Sequence, residues 1–340
     1  VQLKFFSDAN ALNLAAIARE LDQQERQIQL VNYPVLKETS QKNGKYNIYL
    51  WWSLGGADAD IVFSQTWTKA PDLGKLMATK DFRIAMSYAI NRKQIQDSAF
   101  LGTGELRQPV AKKGHPYYPG DDYAFKYIEF NPTLANQMLD KLGIDKKDSE
   151  GYRLFPSGKR VAIELSVVAV FGSYPDIAQL ISRDFKTVGV QLIVQIRERA
   201  LHFSLRESND LQAEIWNQDT AGFPFTGSTK YDVRSGIYGN ITYGPLWYNW
   251  VKTGGKEGIE PPDYMKQIMT LIDHAKASGP ADQAKDAQQI MKLWVDNMVE
   301  IGTVGLTATD QGVVVVNSKM KNVPQNLTKD WPLRTPGNGR

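Results

Sequence analysis

The residues DFRIAMSYAINRKQI, from Asp81 to Ile95, predict two helices that meet at a single residue. Apolar side chains recur at i, i+3, i+4, i+7 and i+8 from Phe82, which places them on one face of a helix. Asn91 then interrupts the pattern, and Asn is suited both to ending one helix and to capping the next. The second helix is predicted to stop at the glycines of Gly102–Gly104. No side chain in the stretch is chemically reactive, so it informs on architecture.

The composition indicates an ordinary globular protein of about two domains, with 42% hydrophobic and 11% aromatic residues in 340. The net charge is +3 and no long run of like charges occurs, so no nucleic-acid partner is predicted. The absence of cysteine excludes disulfides, thiolate metal ligands and cysteine nucleophiles. No secretory signal pattern and no apolar stretch of roughly 20 residues is present. We therefore expect a soluble chain from which any signal has been removed.

Strand and helix patterns alternate in the middle of the chain, which predicts an α/β fold. VAIELSVVAV (161–170) is typical of a buried strand, PDIAQLISRDFKTV (175–188) of an amphipathic helix, and VQLIVQIRE (190–198) of a second strand. This order predicts a right-handed βαβ unit with parallel strands. LQAEIWNQD (211–219) predicts a further strand that ends in a loop rich in Gly, Phe and Pro.

Other elements are predicted along the rest of the chain. The first 30 residues favour a strand at Val1–Phe6 and a helix over 13–28 that turns Leu14, Ile17, Ala18 and Leu21 inward. The region 237–262 is interpreted as an aromatic loop. The remaining predictions are strands at 45–54 and 59–67, helices at 131–144, 261–276 and 281–302, and one or two strands between 304 and 324.

No metal, cofactor or nucleotide site is predicted. His115, His202 and His274 are scattered, without a partner at the spacing of a zinc helix or a facial triad, so structural or surface roles are favoured. TGGKEG (253–258) lacks the glycine and the Ser or Thr that a phosphate loop needs, and GTGEL (102–106) lacks the full dinucleotide fingerprint.

Paired carboxylates suggest one enzymatic alternative. Asp58 with Asp60, or Asp121 with Asp122, could serve a glycosidase, which needs two opposed carboxylates about 5 to 9.5 Å apart. Aspartates so close in sequence are more typical of turns and surfaces. A carbohydrate hydrolase therefore stays as the less favoured hypothesis.

Aromatic residues are concentrated in predicted loops, among Gly, Pro, Asn and Asp. Such a mixture suits a pocket with flat apolar walls and a few hydrogen-bonding groups, although large aromatics also build cores. Loops at strand ends are where α/β folds bind ligands, so both interpretations stay open for each residue. The residues concerned are Trp216, Phe223, Phe225, Trp247, Tyr248 and Trp250.

The stretch from Asp81 to Ile95 resembles the signature helix pair of the solute-binding proteins of peptide-type ABC transporters, extracellular solute-binding protein family 5. The order of similar segments extends over most of residues 60–325. This resemblance to the family implies an α/β, periplasmic-binding-protein-like class II fold. The other similar segments are NPTLANQMLDKLG, GYRLFPSGKRVAIELSV, FKTVGVQL and PLWYNWVKTGGKEGIEPP; ARELDQQERQI is also similar, with Arg19 at the family's glycine position.

The resemblance also implies domain boundaries. Members of the family have two lobes joined by a hinge, with the ligand enclosed between them. Residues 1–66 resemble an incomplete, returning part of the first lobe, 67–302 the second lobe, and 303–340 a return to the first lobe and a C-terminal tail. Because full members are longer, we expect a fragment that lacks most of the first lobe.

A binding site follows from the same resemblance. Oligopeptide binders of the family carry a Trp, two residues and an Asp that pairs with the ligand's α-amino group, and Trp216 and Asp219 have this spacing. A carboxylate at a strand end in a cleft suits an ammonium group. The family's following Tyr-x-Asp-Pro is replaced here by Thr220–Phe223. The predicted ligand-binding residues are Trp216, Asn217, Asp219, Phe223, Trp247, Tyr248 and Trp250.

The implied function is that of a non-enzymatic, monomeric, periplasmic substrate-binding component of an ABC importer. It would close two lobes over an oligopeptide or similar oligomer and deliver it to a membrane permease. An oligosaccharide ligand is the alternative within the family, because stacked aromatics serve sugar faces equally well. A receptor that feeds a signalling partner has the same fold and stays open.

Overall fold

The computed structural model describes residues 2–169, 173–225, 229–239, 241–309 and 312–329. The α-helices within these ranges are α1 (Ala9–Ile17), α2 (Tyr33–Asn43), α3 (Pro71–Ala78), α4 (Lys80–Ala89), α5 (Arg92–Ala99), α6 (Asp121–Ala124), α7 (Pro132–Lys141), α8 (Tyr174–Thr187), α9 (Arg199–Glu207), α10 (Pro245–Lys252), α11 (Asp263–Ala277) and α12 (Pro280–Asp296). The strands are β1 (Gln23–Gln24), β2 (Tyr46–Leu50), β3 (Trp52–Ser53), β4 (Ala57–Phe63), β5 (Glu105–Leu106), β6 (Ala162–Val168), β7 (Gln191–Arg197), β8 (Ala213–Gln218), β9 (Ile301–Gly305), β10 (Val313–Asn317) and β11 (Thr328–Lys329).

A mixed sheet organises the larger part of the described chain, with strand order β5-β9-β4-β8-β6-β7. β4 runs antiparallel to both of its neighbours, β8 and β9, whereas β6 runs parallel to β8 and β7. Every residue of β4, β8 and β9 is buried. These three strands are therefore covered on both faces, which explains why they do not show a simple alternation of polar and apolar residues.

The predicted βαβ unit is confirmed by β6, α8 and β7. The two strands are parallel and in register from Ala162 opposite Gln191 to Val168 opposite Arg197. The apolar face of α8, which includes Ile177, Ile181 and Phe185, is fully buried in the main core. This packing offsets the conformational entropy lost when the crossover is ordered.

The predicted corner between two helices is also confirmed. α4 ends at Ala89, and α5 begins directly after Asn91. The Asn91 side-chain oxygen accepts a hydrogen bond from the backbone N–H of Gln94 at 3.1 Å, which is the N-cap geometry. Its own backbone N–H donates to the carboxylate of Asp184 at 2.8 Å, so the corner is also tied to α8.

Replacing the cap should destabilise the protein measurably. We expect Asn91→Ala to lower the free energy of unfolding by about 1 kcal/mol, because the first turn of α5 loses its side-chain acceptor. Urea denaturation measures the change. Gln94→Ala, an exposed position on the same helix that keeps its backbone N–H, is the matched control; an equal loss in both variants would contradict the capping role.

A smaller sheet has the strand order β1-β10-β2, and none of its strands pairs with a strand of the large sheet within the described residues. β11 pairs with β3. The first crossing between the two sheets lies between β2, which ends at Leu50, and β4, which begins at Ala57; the second follows β9, which ends at Gly305. β4 (57–63) and β9 (301–305) both pair within the large sheet, and the boundaries at 66 and 302 stay predictions. The assignment of the two parts to lobes stays a prediction.

The beginning of the chain differs from the sequence prediction. Residues 2–6 form no strand, and the helix spans Ala9–Ile17 because Asp8 caps it, accepting from the backbone N–H of Ala11 at 2.9 Å. Its buried side includes Leu12, whereas Leu14 is 65% exposed, so the predicted inward face was wrong. The helix ends before Arg19, whose φ of +66° is a conformation that favours glycine.

The region 237–262 is not only a loop, because it contains the helix α10. Pro245 stands in the first turn, where its missing N–H costs nothing, and the glycines on both sides concealed the eight helical residues between them. α2 was missed for a similar reason, since it also begins with a proline in its first turn and has low overall hydrophobicity. Within the described ranges, no helix is long and apolar enough to cross a membrane.

Candidate functional site

β4 carries two carboxylates inside the large sheet. Asp58 is 8% exposed and Asp60 is 1% exposed, so the predicted turn or surface role was wrong for this pair. Asp58 accepts a hydrogen bond from the backbone N–H of Thr307 at 2.7 Å, in the second crossing between the sheets. Burying a carboxylate is costly unless it is paired, so each of these groups needs a specific partner.

Lys230 pairs with Asp60 and with Glu300, and we call these three residues the Lys230 cluster. The ammonium nitrogen lies 3.2 Å from an oxygen of Asp60 and 2.7 Å from Oε1 of Glu300, and it donates to the carbonyl of Asn217 at 3.1 Å. All three charged side chains are buried. Burial raises the pKa of both carboxyl groups, although Lys230 opposes this rise. Burial lowers the pKa of Lys230, but the two carboxylates outweigh it and leave that pKa raised.

A second buried network, the His202 cluster, consists of Ser166, His202, Arg206 and Glu214. His202 Nδ1 lies 2.8 Å from Ser166 Oγ, and its Nε2 lies 2.8 Å from Glu214 Oε2. Arg206 donates to that same oxygen at 2.5 Å. Burial would raise the pKa of Glu214, but the charge of Arg206 and the hydrogen bond from His202 lower it to about 2.

The order Ser166, His202, Glu214 resembles a nucleophile, base and acid arrangement. Each of the three side chains is at most 1% exposed, and Arg206 shares the carboxylate oxygen that His202 uses. A substrate could not approach the serine hydroxyl without opening the core. We therefore assign this network to the stability of the sheet.

Trp216, the first of the predicted binding residues, packs against α9. Its ring is stacked on His202 at 5.6 Å between ring centres, with an interplanar angle of 17°. The guanidinium carbon of Arg206 lies 5.0 Å from the Trp216 ring centre, in cation–π range. With 4% of its surface exposed, the side chain covers the His202 cluster in the present conformation.

Asp219 follows β8 and lies beside the first crossing between the two sheets. The N–H of Gly56, in the first crossing, donates to the carbonyl of Gln218 at 2.7 Å. A Cβ added to Gly55 would lie only 2.8 Å from that carbonyl, so the close approach requires glycine. Asp219 and Phe223 are half-buried, whereas Asn217 is 6% exposed.

The aromatic residues of α10 lie elsewhere. Leu246 in the first turn of α10 donates its N–H to Thr66 Oγ1 at 3.4 Å, and Thr66 also bonds to Asn209, which precedes β8. Asp219 follows the other end of β8. The predicted residues therefore lie on two elements, β8 with the residues that follow it and α10, and their grouping in one pocket stays a prediction.

Within the α10 group, exposure differs between neighbours. Trp247 is 5% exposed and packs on Tyr243 and Tyr264, with ring centres 6.1 and 6.4 Å away, so it belongs to the core. Tyr248 lies against Gly236, and Trp250 against Gly255, and both are half-buried. Whether any of the predicted residues contacts a ligand stays a prediction.

In the described ranges, no group of three or more His, Cys, Asp or Glu residues is placed to hold a metal ion. His115 is half-buried beside Tyr117, and His274 bonds to Asp286 at 2.6 Å near the surface. The two charged clusters were not predicted from the sequence. The signal available was the charge inside apolar runs, as in ADADIVF (57–63) and at Glu300 before β9.

The depressed pKa of Glu214 predicts an acid-dependent loss of stability. A carboxyl group whose folded-state pKa lies below its unfolded value stabilises the fold above the unfolded pKa and ceases to do so as the pH falls through the folded one. We expect Glu214→Gln to lower the free energy of unfolding by about 3 to 5 kcal/mol at pH 7, because Arg206 loses its counter-charge. The difference from the parent protein should shrink as the pH falls from about 4.5 towards 2.

Urea denaturation across this pH range measures the effect of Glu214→Gln. Glu207→Gln, an exposed position on α9, is the matched control and should leave the free energy of unfolding nearly unchanged. A loss that is independent of pH would contradict the assignment of the charge interaction to Glu214.

Removing Lys230 should also destabilise the protein most at higher pH, but for a different reason. Lys230→Met leaves two buried carboxyl groups whose folded-state pKa values are already raised, so folding should be least affected at low pH and most affected as the pH rises. We expect a loss of about 3 to 5 kcal/mol at pH 7, measured by urea denaturation, and a smaller loss near pH 4. Lys256→Met at an exposed loop position is the control, and a loss that grew on acidification would refute this account.

Comparison with known proteins identifies the family. The family model of the bacterial extracellular solute-binding proteins, family 5, middle region, matches residues 1–235, and the chain belongs to this family. Its structure is similar to that of the oligopeptide-binding protein OppA, with a TM-score of 0.73 and 26% sequence identity, over 98% of this chain and 54% of that chain. The predicted family and the α/β class II type of fold are thereby confirmed.

Two curated relatives show partial similarity. A probable ABC transporter-binding protein of Deinococcus radiodurans is 34% identical over 125 residues, which are 35% of this chain and 20% of the relative. A periplasmic alpha-galactoside-binding protein of Rhizobium meliloti is 22% identical over 263 residues, which are 75% of this chain and 36% of the relative. The chain thus spans about a fifth to a third of these relatives and about half of OppA.

Proposed function

We propose that this chain forms most of one lobe of the substrate-binding component of an ABC importer. The complete protein would enclose an oligopeptide or similar oligomer between two lobes and deliver it to a membrane permease. Membership of the family and the similarity to OppA support the class of protein. The observation that supports the proposed binding site is the position of Asp219. This residue follows a central strand and lies beside the chain crossing at Gly55 and Gly56.

Two chain crossings between the sheets suit a hinge mechanism. A ligand that touches both lobes favours the closed state only through contacts that the open state lacks, so its affinity depends on both surfaces. In this proposal the half-buried Asp219 supplies a fixed negative charge to an α-amino group. The protein acts as a monomer outside the cytoplasm and releases its ligand unchanged.

An oligosaccharide ligand is the second candidate. It is supported by the ligands of similar proteins, namely the alpha-galactoside of the Rhizobium meliloti relative and the stachyose bound in a MelB structure whose fold is similar at a TM-score of 0.72. The half-buried Phe223, Tyr248 and Trp250 have flat apolar faces of the kind that stack on sugar rings. A carbohydrate hydrolase lacks such support.

Substitution of Asp219 separates the two ligand classes. We expect Asp219→Asn to weaken binding of a peptide with a free amino terminus by roughly tenfold or more, because a charge-assisted hydrogen bond is lost. Binding of an N-acetylated peptide or of a neutral oligosaccharide should change little. Isothermal titration calorimetry on the complete two-lobed protein, followed by mass spectrometry of the recovered ligand, measures affinity and detects any cleavage.

Asp122→Asn, an exposed aspartate on α6, is the matched control for Asp219→Asn. Peptide affinity that is indifferent to Asp219 while oligosaccharides bind tightly would favour the second candidate. Cleaved ligand in the recovered mixture would overturn the binding function altogether.

A further inference from the structure

A groove of about 380 Å³ lies beside the corner between α4 and α5. Tyr88 and Tyr127 form one side, with ring centres 5.9 Å apart and planes at 83°. Phe125 and Phe130 are 42% and 48% exposed, which is unusual for phenylalanine. None of the predicted ligand-binding residues lines this groove, so it is distinct from the region of Asp219.

Arg92 lies at the floor of this groove, since it lines the space and is yet only 1% exposed. Its hydrogen bonds go to the carbonyls of Ser87, Ile128 and Gly302 and to the hydroxyl of Ser87, at 2.7 to 3.1 Å. All of these acceptors are neutral, and no ion pair joins Arg92 to a carboxylate in the described chain. Burial lowers the pKa of Arg92 to about 9, so the guanidinium is still charged at neutral pH.

Arg83, on the same helix pair, provides a comparison inside the molecule. It is also buried, and it donates to the carbonyls of Met77, Asn297 and Met298. It does not line the groove, and its role is to hold backbone carbonyls together. Arg92 combines the same structural role with a position next to open, aromatic-lined space, where its positive charge can act on a ligand.

The charged residues at the groove's edge differ from Arg92, because neither of them adds an uncompensated positive charge. Lys93 is paired with Asp97 one turn along α5 at 2.5 Å, so its charge is already compensated. Glu129 is exposed and accepts from the side-chain amide of Asn131 at 3.2 Å. The net uncompensated charge at the floor is therefore positive, whereas the single carboxylate of the lining lies at the solvent edge.

We propose that this groove binds a small aromatic carboxylate, with the carboxylate towards Arg92 and the ring between Tyr88, Tyr127 and Phe130. The volume lies within the range of sites that hold small molecules, roughly 300 to 1,000 Å³. Aromatic side chains favour ring contacts at their faces and edges, and an anion gains from an uncompensated charge that is shielded from water. The site is independent of the ligand that the protein transports.

Three probes of similar shape but different charge test whether the groove prefers a carboxylate: phenylpropionate, phenylpropanol and phenylpropylamine. Each is titrated into the protein, and binding is followed by NMR and calorimetry. We expect the acid to bind about tenfold or more tightly than the alcohol, and the amine to bind most weakly. Using a ligand series avoids substituting Arg92, whose removal would disturb the fold.

Location is tested by Phe130→Ala, which removes an exposed ring from the groove and should weaken the acid's binding several-fold. Phe5→Ala, at a 93% exposed phenylalanine outside the groove, should leave it unchanged. The proposal is overturned if the alcohol binds as tightly as the acid, if both variants behave alike, or if no saturable binding occurs up to about 10 mM. None of these results depends on Asp219, so this proposal and the transport function can fail separately.

Discussion

The large sheet depends on one buried cation placed between two buried carboxylates. Lys230 joins Asp60 on β4 to Glu300, the residue directly before β9, and it also donates to the Asn217 carbonyl on β8. Three strands that are distant in sequence are thereby fixed to one point. Such an arrangement is stable only while all members are present, because a buried charge without its partner costs several kcal/mol. The precise pairing of these strands thus follows from electrostatics as well as from apolar packing.

The strand β8 serves both the interior and the proposed binding region. Glu214 belongs to the His202 cluster, and Trp216 packs on that cluster. Asp219 directly follows the strand, whose last residue bonds to Gly56 in the first crossing between the sheets. A rigid strand end is a good position for a binding group because its backbone is already ordered before the ligand arrives. If Asp219 binds the ligand as proposed, the buried networks support that contact indirectly, because they hold the strand that precedes it.

Much of the α/β part could be predicted from the sequence, and the reason is local. The corner at Asn91, the crossover through α8 and the strand β8 each carry their own signals of periodicity, capping and β-branched composition. α10 could not be recognised because flanking glycines and Pro245 masked eight helical residues. The face of α1 was misassigned because its boundaries were taken too far along the chain, towards Arg19.

The candidate site was harder to predict, because it depends on distances between elements. The spacing of Trp216 and Asp219 gave no indication that the tryptophan ring would face α9 instead of open space. Likewise, no local pattern reports that α10 begins near Thr66, at the other end of β8. The pairing of Lys230 with residues 70 and 170 positions away is beyond any short-range rule, although charges within the apolar strand β4 indicated that partners were needed.

The small sheet has a consequence for how this polypeptide folds. β10 inserts between β1 and β2, so its partners were made more than 260 residues earlier in synthesis. Until residues 313–317 leave the ribosome, β2 lacks its partner strand β10, and the apolar side chains around β2 stay exposed to solvent. High contact order of this kind slows folding, because β1 and β2 obtain their shared partner only when residues 313–317 are available. Chaperone protection of β1 and β2 during that interval is the expected consequence of this topology.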